Sequence, residues 1–202
     1  MMSEKTEKDE NERWHVRYRW LWGKDAGYIA IIVLCVVGMY WFGWRGMRFF
    51  MVPSESMLPT LLPSDMIVTF KEPEYHRGDI VVLWHDGEYL VKRIAGLPGD
   101  SISIVGGALF INNRYASEPY IRDPMRYVVD PPIVIPNNKF FFLGDNRNNS
   151  DDSSVTKKNS NDKPYHDYGD LKEIIGRVVF LYYPYNRFGE VRSYPLSNTA
   201  GD

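Results

Sequence analysis

Hydrophobic and polar positions divide this chain into three parts. Residues 1–25 are polar and carry charges of both signs, residues 26–44 form an apolar run without a charge, and short apolar runs alternate with turn residues from about residue 51 onward. At about 1.5 Å per residue, the uncharged run is long enough for one helix across a hydrocarbon core about 30 Å thick. The run also lacks the polar face that a helix on a soluble core shows. The pattern predicts a polar tail over 1–25, a transmembrane anchor over 26–46 and a further domain over 51–197.

The third part has the pattern of a β domain. Residues 66–70, 79–84 and 89–94 are rich in β-branched and aromatic residues, which favours strands. Asp86-Gly87 and, later, Gly106-Gly107 stand between such runs and predict two tight hairpins. Because no long amphipathic helix is evident here, we expect a mainly β fold, an antiparallel barrel or sandwich whose sheet edges are closed.

Charge and composition exclude several classes of function. The net charge of −2 offers no basic stripe, so no nucleic-acid partner is expected. The single cysteine, Cys35, lies inside the apolar run, so no disulfide can form within the chain. The histidines show no metal-ligand spacing, and neither a metal nor a cofactor is expected. They are His15, His76, His85 and His166.

The basic residues on either side of the apolar run indicate its orientation. Those before it are Arg13, Arg17, Arg19 and Lys24, and those directly after it are Arg45 and Arg48. The excess on the amino-terminal side favours a cytoplasmic amino terminus. The β domain would then lie on the extracytoplasmic side.

Two residues of the predicted β domain could carry chemistry. Ser56 lies between Pro53 and Pro59, which stiffen its loop. Lys92 shares a strand face with apolar neighbours, and burial there would favour its neutral, basic form. The ordinary alternative is a turn serine and a solvated lysine, which is the more common situation for an arbitrary pair.

Four segments in order distinguish these interpretations. They are PSESMLPTL at 53–61, RGDIVV at 77–82, VKRIAGLPGDSI at 91–102 and LGDNRNNSDDS at 143–153. Together they resemble the consecutive motifs of bacterial type I signal peptidases, over residues 51–184. The resemblance implies a single-pass enzyme of the cytoplasmic membrane that cuts signal peptides from exported preproteins, after small residues. Its partners would be those preproteins and the lipid bilayer.

The resemblance also implies roles for particular residues. Ser56 matches the nucleophile that forms an acyl-enzyme, and Lys92 matches its general base. Ser54 and the backbone N–H of Ser56 match the oxyanion donors, and Ser150 matches the serine that orients the lysine. A supporting shell is implied for Gly144, Asp145, Asn146 and Asp152.

One position departs from the family pattern. Ser154 stands where the family usually has an arginine that pairs with Asp152, and residues 155–167 look like an insertion. Lys157 or Lys158 could supply the missing charge. The departure leaves two alternatives open: a specialised peptidase for pilin or conjugation proteins, and an inactive relative that binds signal peptides without cutting them.

Overall fold

The computed structural model describes residues 26–40, 43, 46–158 and 164–196. The chain divides into two compact units, residues 1–45 and 46–202. The predicted polar tail over 1–25 lies outside the described residues, as do positions 41, 42, 44 and 45 of the predicted anchor.

The described part of the first unit is a helix. Residues 26–40 are helical and nearly all exposed. Among the described residues, the structure contains no helix with the length and apolar character needed to span a bilayer. The anchor over 26–46 therefore stays a prediction.

Strands make up most of the second unit, together with three short 3-10 turns, Glu55–Met57, Leu171–Glu173 and Tyr185–Arg187. The strands are β1 (Arg48–Met51), β2 (Met66–Phe70), β3 (Ile80–His85), β4 (Glu88–Gly96), β5 (Ser101–Val105), β6 (Ala108–Ile111), β7 (Arg114–Tyr115), β8 (Val129–Val134), β9 (Lys139–Leu143), β10 (Thr156–Lys158), β11 (Pro164–His166), β12 (Gly169–Asp170), β13 (Ile174–Tyr183) and β14 (Gly189–Glu190).

The described strands form antiparallel sheets. The largest has the order β1-β2-β13-β3-β4-β9-β12, with β14 paired to β13. A second sheet has the order β7-β6-β5-β8, and β10 pairs with β11. The mainly β, antiparallel prediction is confirmed.

The closed sheet edges that we expected are not present in the described residues. β1 and β12 end the order of the large sheet without pairing to each other, and β7 and β8 end the smaller one. Both β7 and β12 have only two residues. Very short edge strands offer little template for pairing with another chain, so these two edges are protected without closure, whereas β1 has four residues and β8 has six.

Both predicted hairpins are present, and their turns explain why. Asp86 and Gly87 have φ of 49° and 89°, and Gly106 and Gly107 have φ of 60° and 79°. A two-residue turn with positive φ at both positions matches the twist of the flanking strands, and Asp and Gly tolerate that conformation. These turns join β3 to β4 and β5 to β6.

Strand β4 lies at the centre of the large sheet, between β3 and β9, and positions the site described below. Every residue of β4 from Val91 onward is buried. Val91 packs in one apolar cluster with Val52 and Met57, and Ile94 packs in another with Phe142. Burial on both faces is typical of a central strand and places the middle of β4 inside the domain.

Candidate active site

Ser56 lies in a short turn that its apolar neighbours fix to the domain. Ser54 precedes the turn in extended backbone, with φ of −141° and ψ of 173°, and Glu55–Met57 form one 3-10 turn. Met57 is fully buried, so the residue after Ser56 anchors the turn in the core. The Ser54 hydroxyl donates to Ser56 Oγ across 3.3 Å. The two serines expected to act together are therefore in contact.

Asn146 holds this turn from a distant part of the sequence. Its backbone N–H donates to the Ser56 carbonyl oxygen at 2.9 Å. Its side-chain Nδ2 donates to the Glu55 carbonyl oxygen at 3.1 Å. Because both bonds end on backbone carbonyls, Asn146 positions the turn and leaves the Ser56 hydroxyl uninvolved.

Lys92 lies in the middle of β4, opposite Val81 of β3. It is only 3% exposed, and its Nζ donates to Ser150 Oγ at 2.8 Å. Burial lowers the pKa of Lys92, although the charges of Asp152, Asp151 and Glu88 act in the opposite direction. The free amine is therefore more available than that of a solvated lysine.

These groups share one cleft. A cavity with a volume of about 810 Å³ is lined by Ser54, Ser56, Lys92 and Ser150, together with Pro53, Glu55, Glu88, Tyr89, Leu90, Asn148, Asn149, Asp151 and Val155. Among the described residues, no hydrogen bond joins Lys92 Nζ to Ser56 Oγ. Catalytic contacts are often longer in a free site and shorten when substrate binds.

Gly144 allows the segments that carry Ser56 and Ser150 to approach each other. A Cβ at this position would lie 2.5 Å from the Ser56 carbonyl oxygen and would also collide with Ser150 Oγ. The Gly144 N–H donates to Asp152 Oδ2 at 2.9 Å. A side chain here would push the two serines apart.

Ser154 bonds to Asp152, the residue that lacks its usual arginine. The Ser154 hydroxyl donates to Asp152 Oδ1 at 2.6 Å, and its backbone N–H donates to the same oxygen at 3.1 Å. Asp152 is only 2% exposed, so the two neutral groups of Ser154 donate to a buried carboxylate. The side chains of Lys157 and Lys158 lie outside the described part, so their suggested role stays a prediction.

Asp145 does not line the cleft but forms a fully buried ion pair with Arg93. Its carboxylate accepts from Arg93 Nε at 2.8 Å and from Arg93 Nη2 at 2.6 Å, and Thr60 Oγ1 donates to it at 2.5 Å. Thr60 follows the Ser56 turn, so Asp145 joins that segment to β4. Of the eight predicted site residues, four line the cleft, Ser54, Ser56, Lys92 and Ser150, and the other four, Gly144, Asp145, Asn146 and Asp152, do not.

Three buried charges of this region were not predicted from the sequence. Arg93 is fully buried, and Arg147 donates from Nε to the Gly144 carbonyl oxygen at 3.0 Å. Arg147 also donates to both carboxylate oxygens of Glu118, at 2.9 and 2.6 Å. Arg93 stands in an apolar strand, and Arg147 lies within a recognised motif, so both could have been singled out. Glu118 lies in a loop between strands and carries no comparable signal.

Comparisons with known proteins agree with these motifs. The family model described as "Signal peptidase, peptidase S26" matches residues 19–183. Signal peptidase I of Leptolyngbya laminosa is 38% identical over 156 residues, which cover 69% of this chain and 70% of that protein. Signal peptidase I U of Bacillus subtilis (strain 168) is 37% identical over 154 residues, which cover 71% and 78%.

A crystal structure of a signal peptidase I from Enterococcus faecalis V583 is similar to part of the chain. It is 25% identical and covers 53% of this chain and 97% of its own, with a TM-score of 0.39. The family match extends over well more than half of the sequence. The chain therefore belongs to the signal peptidase family, peptidase S26, and is a serine peptidase.

Proposed function

We propose that this chain is a membrane-bound endopeptidase that removes N-terminal signal peptides from exported preproteins, cutting after small residues. Its named relatives are signal peptidases I. The observation that carries the proposal is Lys92, a buried lysine with a lowered pKa in the same cleft as Ser56. A buried amine of this kind can accept a proton near neutral pH and so activate a serine.

In the proposed reaction, Lys92 takes the proton of the Ser56 hydroxyl as Ser56 Oγ attacks the scissile carbonyl carbon. The peptide C–N bond then breaks, and the proton passes from Lys92 to the leaving amine. The substrate carbonyl remains esterified to Ser56. Lys92 next takes a proton from a water molecule as the water oxygen attacks the ester carbon, and it returns this proton to Ser56 Oγ when the ester C–O bond breaks and the carboxylic acid leaves. Ser150 keeps the lysine nitrogen oriented through its 2.8 Å hydrogen bond.

The oxyanion would be stabilised by the Ser54 hydroxyl and the backbone N–H of Ser56. Ser54 Oγ lies 3.3 Å from Ser56 Oγ. It is therefore within reach of the carbonyl oxygen of a substrate whose carbonyl carbon is bonded to Ser56 Oγ. Negative charge develops on this oxygen in the transition state, and loss of one such donor typically lowers the rate about 10²–10³-fold. Gly144, Asp145, Asn146 and Asp152 would hold these groups in place.

The uncharged run over 26–44 supports the membrane part of the proposal. Its length and the basic residues before it are typical of a single span with a cytoplasmic amino terminus. The serine and lysine would then act on the extracytoplasmic side, where exported preproteins emerge.

Cleavage of a preprotein by the detergent-solubilised chain tests the proposal. We expect Ser56→Ala and Lys92→Ala to abolish cleavage. The matched controls Ser103→Ala and Lys139→Ala, neither of which lines the cleft, should retain it. An acylating probe should label the wild type and not Ser56→Ala. Full cleavage by either dyad variant would rule out the Ser56/Lys92 mechanism. Cleavage confined to pilin-like substrates would instead identify a specialised peptidase.

A further inference from the structure

A second cluster of polar side chains surrounds His85, the last residue of β3. The His85 side chain is 9% exposed, and its Nδ1 lies 2.9 Å from Glu173 Oε2. On the other side of the ring, Nε2 lies 3.1 Å from Asp167 Oδ1 and 4.0 Å from Asp86 Oδ2. The residues come from the β3–β4 turn, the segment before β12 and the turn before β13. None of them has a role in the proposed proteolysis.

The cluster encloses a space of ionic size. One ligand atom from each of His85, Asp86 and Asp167 lies within 4.8 Å of the others. These three residues line a small cavity of about 30 Å³, whose wall also includes Glu88 and Asp151. Such a volume admits a single ion or water molecule and nothing larger.

The imidazole itself points to a ligand in this space. His85 Nε2 is buried and has no hydrogen-bond partner among the described residues. Asp167 Oδ1, 3.1 Å from Nε2, is close enough for an ion pair with a protonated ring, but the contact does not qualify as a hydrogen bond. A buried polar atom without a hydrogen bond is costly, and a bound ion would satisfy it.

Glu173 gives His85 the arrangement that metal-binding histidines have. Metal-bound imidazoles commonly donate their second ring N–H to a carboxylate, which fixes the tautomer and the ring orientation. Glu173 Oε2 contacts His85 Nδ1 and also accepts the Asp170 N–H at 2.9 Å, as part of a capping box. With the ring proton on Nδ1 and donated to Glu173, Nε2 would present its lone pair to an ion held between the ring and the two aspartates.

We propose that His85 Nε2 and the carboxylates of Asp86 and Asp167 bind a divalent transition-metal ion, with Glu173 orienting the histidine. One imidazole and two carboxylates suit Zn²⁺, which often takes three protein ligands and one water. The ion would tie the β3–β4 hairpin to the end of the stretch that looks inserted relative to the family. It would stabilise that stretch, which begins directly after Ser154.

Titration of the metal-free, untagged full chain with Zn²⁺ in detergent tests this proposal. We expect one bound ion per chain in calorimetry, visible absorption of a low-coordinate Co²⁺ complex, and an increase in Tm on metal binding. Asp167→Asn and Asp86→Asn should each weaken Zn²⁺ binding at least about tenfold, and Glu173→Gln about 10–100-fold. Asp86 is on an exposed turn, so its variant keeps the fold if His85→Gln does not.

The control variant is Asp130→Asn, which removes an exposed carboxylate from the other sheet and should leave binding unchanged. A second arm replaces Zn²⁺ by Mg²⁺, which prefers oxygen ligands and should bind much more weakly. Absence of one-to-one Zn²⁺ binding would overturn the proposal. So would binding that is equal in the wild type, Asp86→Asn and Asp167→Asn.

Discussion

Lys92 and Arg93 are consecutive buried cations on β4, and their side chains point to opposite faces of the sheet. Arg93 donates two hydrogen bonds to Asp145 and one to the Gly78 carbonyl oxygen at 2.7 Å, and its guanidinium lies 3.9 Å from the centre of the Tyr120 ring. Lys92 donates to the neutral hydroxyl of Ser150.

The difference lies in how each charge is compensated. A buried guanidinium with a bidentate carboxylate keeps its charge and fixes the two segments that it joins. A buried ammonium bonded to a hydroxyl gives up its proton more readily, because burial penalises the charged form. The Arg93 face of β4 is thus suited to holding the site together, and the Lys92 face to proton transfer.

The sharpest test of this contrast removes the amine. We expect Lys92→Met to lower kcat/KM about 10⁴-fold, the upper range for general acid–base catalysis, because it removes the buried amine that would take the Ser56 proton. Urea unfolding of the same variant should show no loss of stability, since the methionine avoids the cost of a buried charge. Substantial destabilisation by Lys92→Met would break the comparison.

The converse change targets the other face. Arg93→Met leaves Asp145 buried without its cation, and breaking such a pair typically costs about 3–5 kcal/mol in the free energy of unfolding. We expect a clear decrease in the urea midpoint, measured by the tryptophan fluorescence of the unit over residues 46–202. Arg177→Met, which breaks the more exposed pair with Glu72, is the matched control and should cost less than about 1 kcal/mol. Equal effects of the two variants would mean that the buried Arg93–Asp145 pair contributes no more to stability than the more exposed Arg177–Glu72 pair.

A smaller change separates charge from geometry on the Arg93 face. Arg93→Lys retains a cation beside Asp145 but cannot form the two parallel bonds and reach the Gly78 carbonyl oxygen as well. We expect a loss of about 1.5–3 kcal/mol, the range for hydrogen bonds to charged groups. Urea unfolding checks this value. A variant as stable as the wild type would show that the charge alone holds the two segments.

The hairpins and the grouping of the site residues could be predicted from the sequence, but part of what surrounds β4 could not. The two hairpins followed from Asp86-Gly87 and Gly106-Gly107, because turn chemistry is local. The grouping of Ser56, Lys92 and Ser150 followed from the ordered motifs. The apolar pattern of β4 put Lys92 on a strand face with apolar neighbours, where burial was considered, but it did not indicate that Arg93 on the opposite face would be buried as well.

Contacts between distant segments could not be predicted in the same way. Arg147 reaches Glu118 across 29 residues, and His85 reaches Asp167 from another part of the chain. Chain spacing carries no information on such contacts. The sequence analysis predicted closed sheet edges, whereas the sheets are open. Whether two edge strands pair depends on contacts between distant segments, which the apolar pattern of each strand does not show.

The smallest expected effect concerns the charges around Lys92. The Glu88 carboxylate raises the pKa of Lys92 and so opposes the effect of burial. In Glu88→Gln that influence is absent, the pKa of Lys92 falls further, and the free amine persists to lower pH. The acid limb of the pH profile of kcat/KM should therefore move to lower pH, and only slightly, because Glu88 is exposed and its charge is screened. Added salt should reduce the difference from the wild type, and the control Glu190→Gln, on β14, should leave the limb in place. A shift to higher pH would mean that the Glu88 carboxylate does not raise the pKa of Lys92.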